Sequence, residues 1–323
     1  MGAPAVPETR DLDSEDAWQI LRRVDYGSLV QRSLRRFRRA DGFSYARAVA
    51  FQMVLALIPA LIFFTAVSVW AGSHTMRSSV ETVLTTLTPG PTGGFLQQAV
   101  NQGQRSGRGD LIALLAGGLT AIISGTVGMS QIQQGAGRLY GKDQDRSPLR
   151  RYAIGLALSL SVGLLLGGAL VAIAFGRSIA GAVEGQSVWI WLRWPLGAAA
   201  AILAVAVLYK VAPNRHQPSL SWLAVGGITA TILWLLFSGG LALYLSVSST
   251  FGETYGSLAG LIGVLIWSQL SALALLAGLA FTAELELERA QGHRSGPSVG
   301  LKKNRAASGQ RQLPTRQRQP PRS

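Results

Sequence analysis

Residues 152–175 read YAIGLALSLSVGLLLGGALVAIAF, a stretch with no charged side chain. About 20 apolar residues cross the hydrocarbon core of a bilayer as an α-helix. Strands of a membrane barrel would instead show short segments of alternating polarity, and this run shows none. The reading extends outward to five further segments, at 46–70, 111–129, 191–209, 220–244 and 257–283. Together they predict an all-α, polytopic membrane protein with a bundle of six transmembrane helices spread over residues 45–288. Composition agrees, since 48% of the 323 residues are hydrophobic and 14% are charged. The first residues lack the basic start and apolar core of a cleavable signal peptide, so insertion is expected to rely on the internal spans.

Charge orients the bundle. Nine Lys and Arg precede or open the first span, five separate the second from the third, two follow the fourth and nine lie in the tail; the alternate loops hold three, two and none. Cytoplasmic segments carry the excess of Lys and Arg, which predicts cytoplasmic N- and C-termini in an inner, cell-membrane protein. Trp70, Trp189, Trp191, Trp194, Tyr209 and Tyr244 fall at expected span ends, where interfacial aromatics belong. The net charge of +14 is then a topological signal, and nucleic acid is not an expected partner; a basic patch alone is a weak warrant for one.

Outside the spans, residues 1–16 are expected to be disordered. Residues 17–44 form a basic amphipathic segment whose residues 17–40 read as one amphipathic helix, with Trp18, Leu21 and Val24 at helical spacing and then Leu29, Leu34 and Phe37 among Arg32, Arg35, Arg36, Arg38 and Arg39. Such a segment lies on an anionic leaflet or simply fixes orientation. The loop 72–109 is the long outer one, with helix-compatible stretches around its breaker TPGPTGG. Residues 289–323 are rich in Arg, Gln, Pro, Gly and Ser and make a disordered basic tail.

Catalytic chemistry finds little material. There is no Cys, and His74, His216 and His293 stand in separate segments away from any carboxylate pair. No nucleotide-binding GxxxxGK[ST] loop is present. No catalytic residue, metal or cofactor is therefore expected. Polar residues inside spans are costly and so mark sites or interhelical bonds. Gln52 and Pro59 suggest a helix kink in the first span. Ser124, Thr126, Gln131, Gln133 and Gln134 make the inner end of the second polar, and Ser268 and Gln269 interrupt the sixth. Small residues recur at four-residue spacing at Ser159, Gly163 and Gly167, and at Gly256 and Gly260, as in close helix packing.

Four segments carry a family likeness: DGFSYARAVAFQMVLALIPAL at 41–61, GRLYGKDQDRSPLRRY at 137–152, LYKVAPNR at 208–215, and TYGSLAGLIGVLIWSQLSALALLAGLAFTAELE at 254–286. Their order and spacing resemble the YihY/virulence factor BrkB family, earlier labelled ribonuclease BN, over about residues 25–288. The resemblance implies six helices in a bacterial inner membrane, with links to envelope integrity, serum resistance and lipid export. Many members look like GAE[FL]NAE near the end of the last helix. Here Gly278, Leu279, Ala280, Phe281, Thr282, Ala283 and Glu284 stand there, so the carboxylate at position 280 is missing. Arg47 stands where a small residue is common, and snorkelling to headgroups would accommodate it.

Three functions follow as expectations. The first is transport or export of an anionic envelope lipid, with Arg138, Lys142, Arg146, Arg150, Arg151, Lys210 and Arg215 meeting phosphate headgroups, and Gln131, Gln134 and Gln269 lining a cleft. The second is a non-catalytic scaffold that recruits envelope protein partners through the tail and outer loop. The third, a ribonuclease, would rest on Asp143 and Asp145.

Overall fold

The computed structural model describes residues 3–8, 12, 14–22, 24–70, 111–142, 146–180 and 186–294. The outer loop 72–109, Asp143, Asp145 and residues 295–323 lie outside them, so the expectations for those segments do too. Among the described residues the secondary structure is helical throughout: α1 Ser14–Leu21, α2 Tyr26–Arg39, α3 Gly42–Trp70, α4 Leu111–Leu139, α5 Pro148–Ala180, α6 Gln186–Val211, α7 Leu220–Val247, α8 Ser249–Tyr255 and α9 Ala259–Arg294. A single 3₁₀ turn, Gly256–Leu258, joins the last two.

The chain is an all-α, polytopic membrane protein. Within the described residues Leu115–Leu139, Pro148–Gly167, Leu220–Val247 and Ala259–Gln291 are long and apolar enough to cross a bilayer, while Gly42–Leu57 and Pro195–Val211 are shorter apolar stretches. Four such helices, rather than the six spans expected, thus stand on length and composition. Each of the six helices begins or ends within a few residues of its expected span, except at the basic end. There α4 and α9 run about ten residues past their predicted limits, because helix geometry continues after the apolar run stops. Helix α3 continues through Pro59.

Neighbouring helices close a circuit in the order α3, α4, α5, α6, α7, α9 and back to α3, with α9 also meeting α4. Small residues set the tightest approaches. A Cβ on Gly278 of α9 would stand 2.7 Å from the Ala230 Cβ and 2.8 Å from the Gly226 carbonyl of α7. A Cβ on Gly163 of α5 would meet nothing within 4 Å. The α5 stripe is therefore used at Ser159, whose hydroxyl faces Gly125, and not at Gly163. Trp234 and Trp267 each donate an indole N–H to a serine on the facing helix, at 3.0 Å to Ser271 and 3.2 Å to Ser238, which joins α7 to α9 by polar bonds.

The amphipathic segment is two helices, not one. Asp25 breaks it, accepting from the Ser28 amide at 2.9 Å as the N-cap of α2. Leu29, Ser33, Arg36, Phe37 and Ala40 turn inward, and Tyr26, Val30, Leu34, Arg35, Arg38 and Arg39 face out. Tyr209, expected at an interface, is buried instead and donates its hydroxyl to the Leu275 carbonyl of α9.

A charged end of the bundle as candidate functional site

The last turns of α4 and α9, the first turn of α5, the α6–α7 connection and helix α2 meet at one end of the bundle. Here lie most of the cations that the sequence singles out. A cation removed from water needs a partner of opposite charge or several acceptors, and the structure supplies both. Arg36 of α2, with a fully buried side chain, holds Glu284 of α9 at 2.6 Å. One helical turn away Arg32 holds Glu288 at 2.7 Å. The two pairs form an antiparallel ladder, because residues four apart share a helix face. Arg215, from the α6–α7 connection, pairs with Glu286, and both side chains are fully buried.

The remaining donors of these arginines reach backbone carbonyls. Arg36 Nη1 donates to Leu139 at 2.8 Å and to Pro4 at 2.9 Å. Arg215 donates to Val6 and Pro7, each at 3.2 Å, and its guanidinium lies 4.5 Å from the centre of the Tyr140 ring. Burial, then the charge of Glu286, pushes the Tyr140 phenol well above the ordinary tyrosine range. It stays neutral and serves as an aromatic face for the cation.

The acceptors at Pro4, Val6 and Pro7 belong to residues 3–8, expected to be disordered. They run as a strap without regular secondary structure across this end, with Ala3 and Val6 buried and the Val6 amide bonded to the Tyr140 carbonyl at 3.2 Å. Its seat requires Gly141, which has φ of +70° and whose Cβ would stand 2.6 Å from the Ala3 carbonyl and 2.7 Å from the Ala5 Cα. Such a dihedral is open to glycine at little cost. Glu8 then accepts from Lys142 at 2.8 Å and lies 3.4 Å from His216 Nδ1. The Lys142 bond holds the Glu8 carboxyl below its ordinary range, against a smaller opposing effect of burial.

The other candidate residues divide by partner. Arg146 makes four bonds of 2.7 to 3.1 Å, to Gln133 Oε1 and to the Val211, Ala212 and Pro213 carbonyls, closing the end of α6. Its burial, followed by the nearby charge of Arg150, lowers its affinity for a proton. Lys210 caps the Gln217 and Pro218 carbonyls. Arg138 and Arg150 are exposed, and Arg151 is half-buried with its guanidinium 5.4 Å from the Tyr152 ring centre. Gln134, Arg146 and Arg151 share one recess of about 10 Å³ with Gln133, Gly137, Ala212 and Asn214, about room for a single water. Gln131 and Gln269 are half-buried and outside that recess.

Sequence reading missed the carboxylates. Glu284, Glu286 and Glu288 sit just past the apolar run, and three acids at alternate positions after a span are a legible signal once buried arginines are sought. Ala280 is buried in the apolar core, and the position four residues on carries the acid that grips α2. Among the described residues no group of three or more His, Cys, Asp or Glu is placed to hold a metal ion.

Comparison with known proteins follows the same outline. The family described as virulence factor BrkB matches residues 33–300. The ribonuclease-like protein YfkH of Bacillus subtilis is 26% identical over 261 residues, 78% of this chain and 92% of its own. A UPF0761 membrane protein of Alteromonas mediterranea is 26% identical over 246 residues, 73% of this chain and 80% of its own. One of Azoarcus is 26% identical over 247 residues, 74% and 59% respectively. No solved structure matches. The UPF0761 relatives are described as membrane proteins. The long apolar helices and the match over most of its length make the chain a multi-pass membrane protein of the virulence factor BrkB family.

Proposed function

We propose that this protein moves or exports an anionic envelope lipid across a bacterial inner membrane, with six spans and the charged end on the cytoplasmic side. The observation that carries the reading is that half-buried Arg151 lines a polar recess with Gln133, Gln134 and Asn214, while the exposed Arg138 and Arg150 stand next in sequence to Gly137 and Arg151 of its lining. Guanidinium groups at the headgroup level attract phosphate. The recess has about room for one water, so loading a headgroup in this reading requires α4 and α5 to part there.

Orientation rests on the Lys and Arg asymmetry between alternate loops, and six spans rest on α3 and α6 continuing helically beyond their short apolar stretches. Proteoliposomes with labelled phosphatidylglycerol test the reading. The intact chain transfers the label between leaflets, and Arg138→Glu with Arg150→Glu slows transfer at least tenfold. Equal rates with and without protein would overturn it.

The ion pairs and backbone bonds of this end also favour a second reading, a non-catalytic scaffold for envelope proteins, since an end so held needs no opening. Truncation after Glu288 then abolishes capture of partners while leaving lipid transfer absent throughout.

A further inference from the structure

We propose that residues 3–8 are a removable strap over an anion site built by Arg36 and Arg215, and that this site takes a phosphate group. The ligand class rests on the lipid-handling reading above; the strap does not.

Three observations converge. The strap has no secondary structure of its own and buries only Ala3 and Val6, so most of its hold is the set of carbonyls that Arg36 and Arg215 cap. Segments with so few buried apolar contacts open at low cost relative to the whole fold. Its departure leaves the bundle's own ion pairs intact, because Glu284 and Glu286 come from α9.

Charge gives the second observation. With the strap seated, Arg36, Arg215 and Lys142 are balanced by Glu284, Glu286 and Glu8. Without it the same seat carries one surplus positive charge, while the guanidinium N–H groups that held Pro4, Val6 and Pro7 turn to the opening. Forked donors of this kind match the oxygens of phosphate. The third is Arg36 Nη2, a buried donor with no hydrogen-bond partner among the described residues. A buried donor left unpaired is costly, and a phosphate oxygen would satisfy it. Both arginines flank Tyr140, whose neutral ring walls the site and repels no anion. The acidic Glu8, held by Lys142 and near His216, stands where a competing anion would dock.

The absence of cysteine makes the test direct. Val6→Cys in otherwise unaltered protein, held in nanodiscs, places a thiol beneath the strap. Its labelling by a soluble maleimide is slow in the parent and at least tenfold faster with Glu8→Lys or with Gly141→Asn, which tolerates the dihedral but not the contact. Inorganic phosphate speeds labelling of the parent, since whatever binds the unseated form shifts the equilibrium toward it. Fast labelling in the parent, or slow labelling in both variants and at all phosphate concentrations, would overturn the proposal. Phosphatidylglycerol nanodiscs are expected to label faster than phosphatidylcholine nanodiscs. If phosphate acts and the two lipids do not differ, the anion site stands and the lipid-handling reading falls. Should Gly141→Asn fail to fold, Glu8→Lys decides alone.

Discussion

Helix α2 and the start of α5 carry the same signature, RSLRRFRR at 32–39 and PLRR at 148–151, and use it in opposite ways. In α2, Arg36 is driven into the protein and locked to Glu284, 248 positions along the chain. In α5, Arg150 faces out and Arg151 lies half-buried against its neighbour Tyr152. A run of arginine thus states only that one end of a bundle is basic. What each arginine does is decided by whether a carboxylate from α9 rises to meet it.

The largest effect that can break this contrast is loss of a buried partner. Glu284→Ala leaves Arg36 uncompensated and is expected to destabilise the fold by about 3–5 kcal/mol, read as loss of monodisperse protein and a lower melting temperature in detergent. Arg150→Ala should stay within about 0.5 kcal/mol, as exposed substitutions do. Equal effects at the two positions would erase the distinction between the helices. Next comes packing between α7 and α9. Gly278→Val forces a side chain into the Ala230 and Gly226 contacts, at a cost of about 1–3 kcal/mol, whereas Gly163→Ala changes thermal stability little.

The helical, multi-pass membrane class was legible from runs such as residues 152–175 because apolar length is a local signal, although four helices rather than six reach spanning length among the described residues. The charged end was legible only in part. Arg146, Lys210 and Arg215, read from the sequence as headgroup contacts, lie at this end bonded to carbonyls of residues 211–213, 217–218 and 6–7, and no side-chain pattern announces a carbonyl. Residues 3–8, APAVPE, look disordered because they are few and two prolines interrupt any regular element. They are held by arginines from elsewhere, and propensity does not see that. The break at Asp25 was available locally, as an Asp three residues before Ser28, and the continuous hydrophobic spacing of Val24 and Leu29 hid it.

The smallest expected effect is that of pH on the strap. Glu8 has a folded-state affinity for protons below its ordinary value of 4.5, so the stabilisation from its Lys142 bond is present above that pH. It is lost as pH falls through the lower folded value. The pair is partly exposed and its worth is below about 1 kcal/mol. The rate of Val6→Cys labelling, divided at each pH by that of a free cysteine so that the falling thiolate fraction cancels, should therefore rise modestly as pH drops below 5 in the parent, and show no such change in Glu8→Gln.

In the proposed reading solvent-facing arginines make the first contact with lipid phosphate, while Arg36 and Arg215 stay bonded within the protein until the strap leaves. Binding of purified protein to phosphatidylglycerol vesicles, compared between Arg150→Glu with Arg138→Glu and the intact chain at matched thermal stability, tests it most directly. The account predicts at least a tenfold loss of binding with an unchanged melting temperature; unchanged binding, or a loss that appears only together with unfolding, would contradict it.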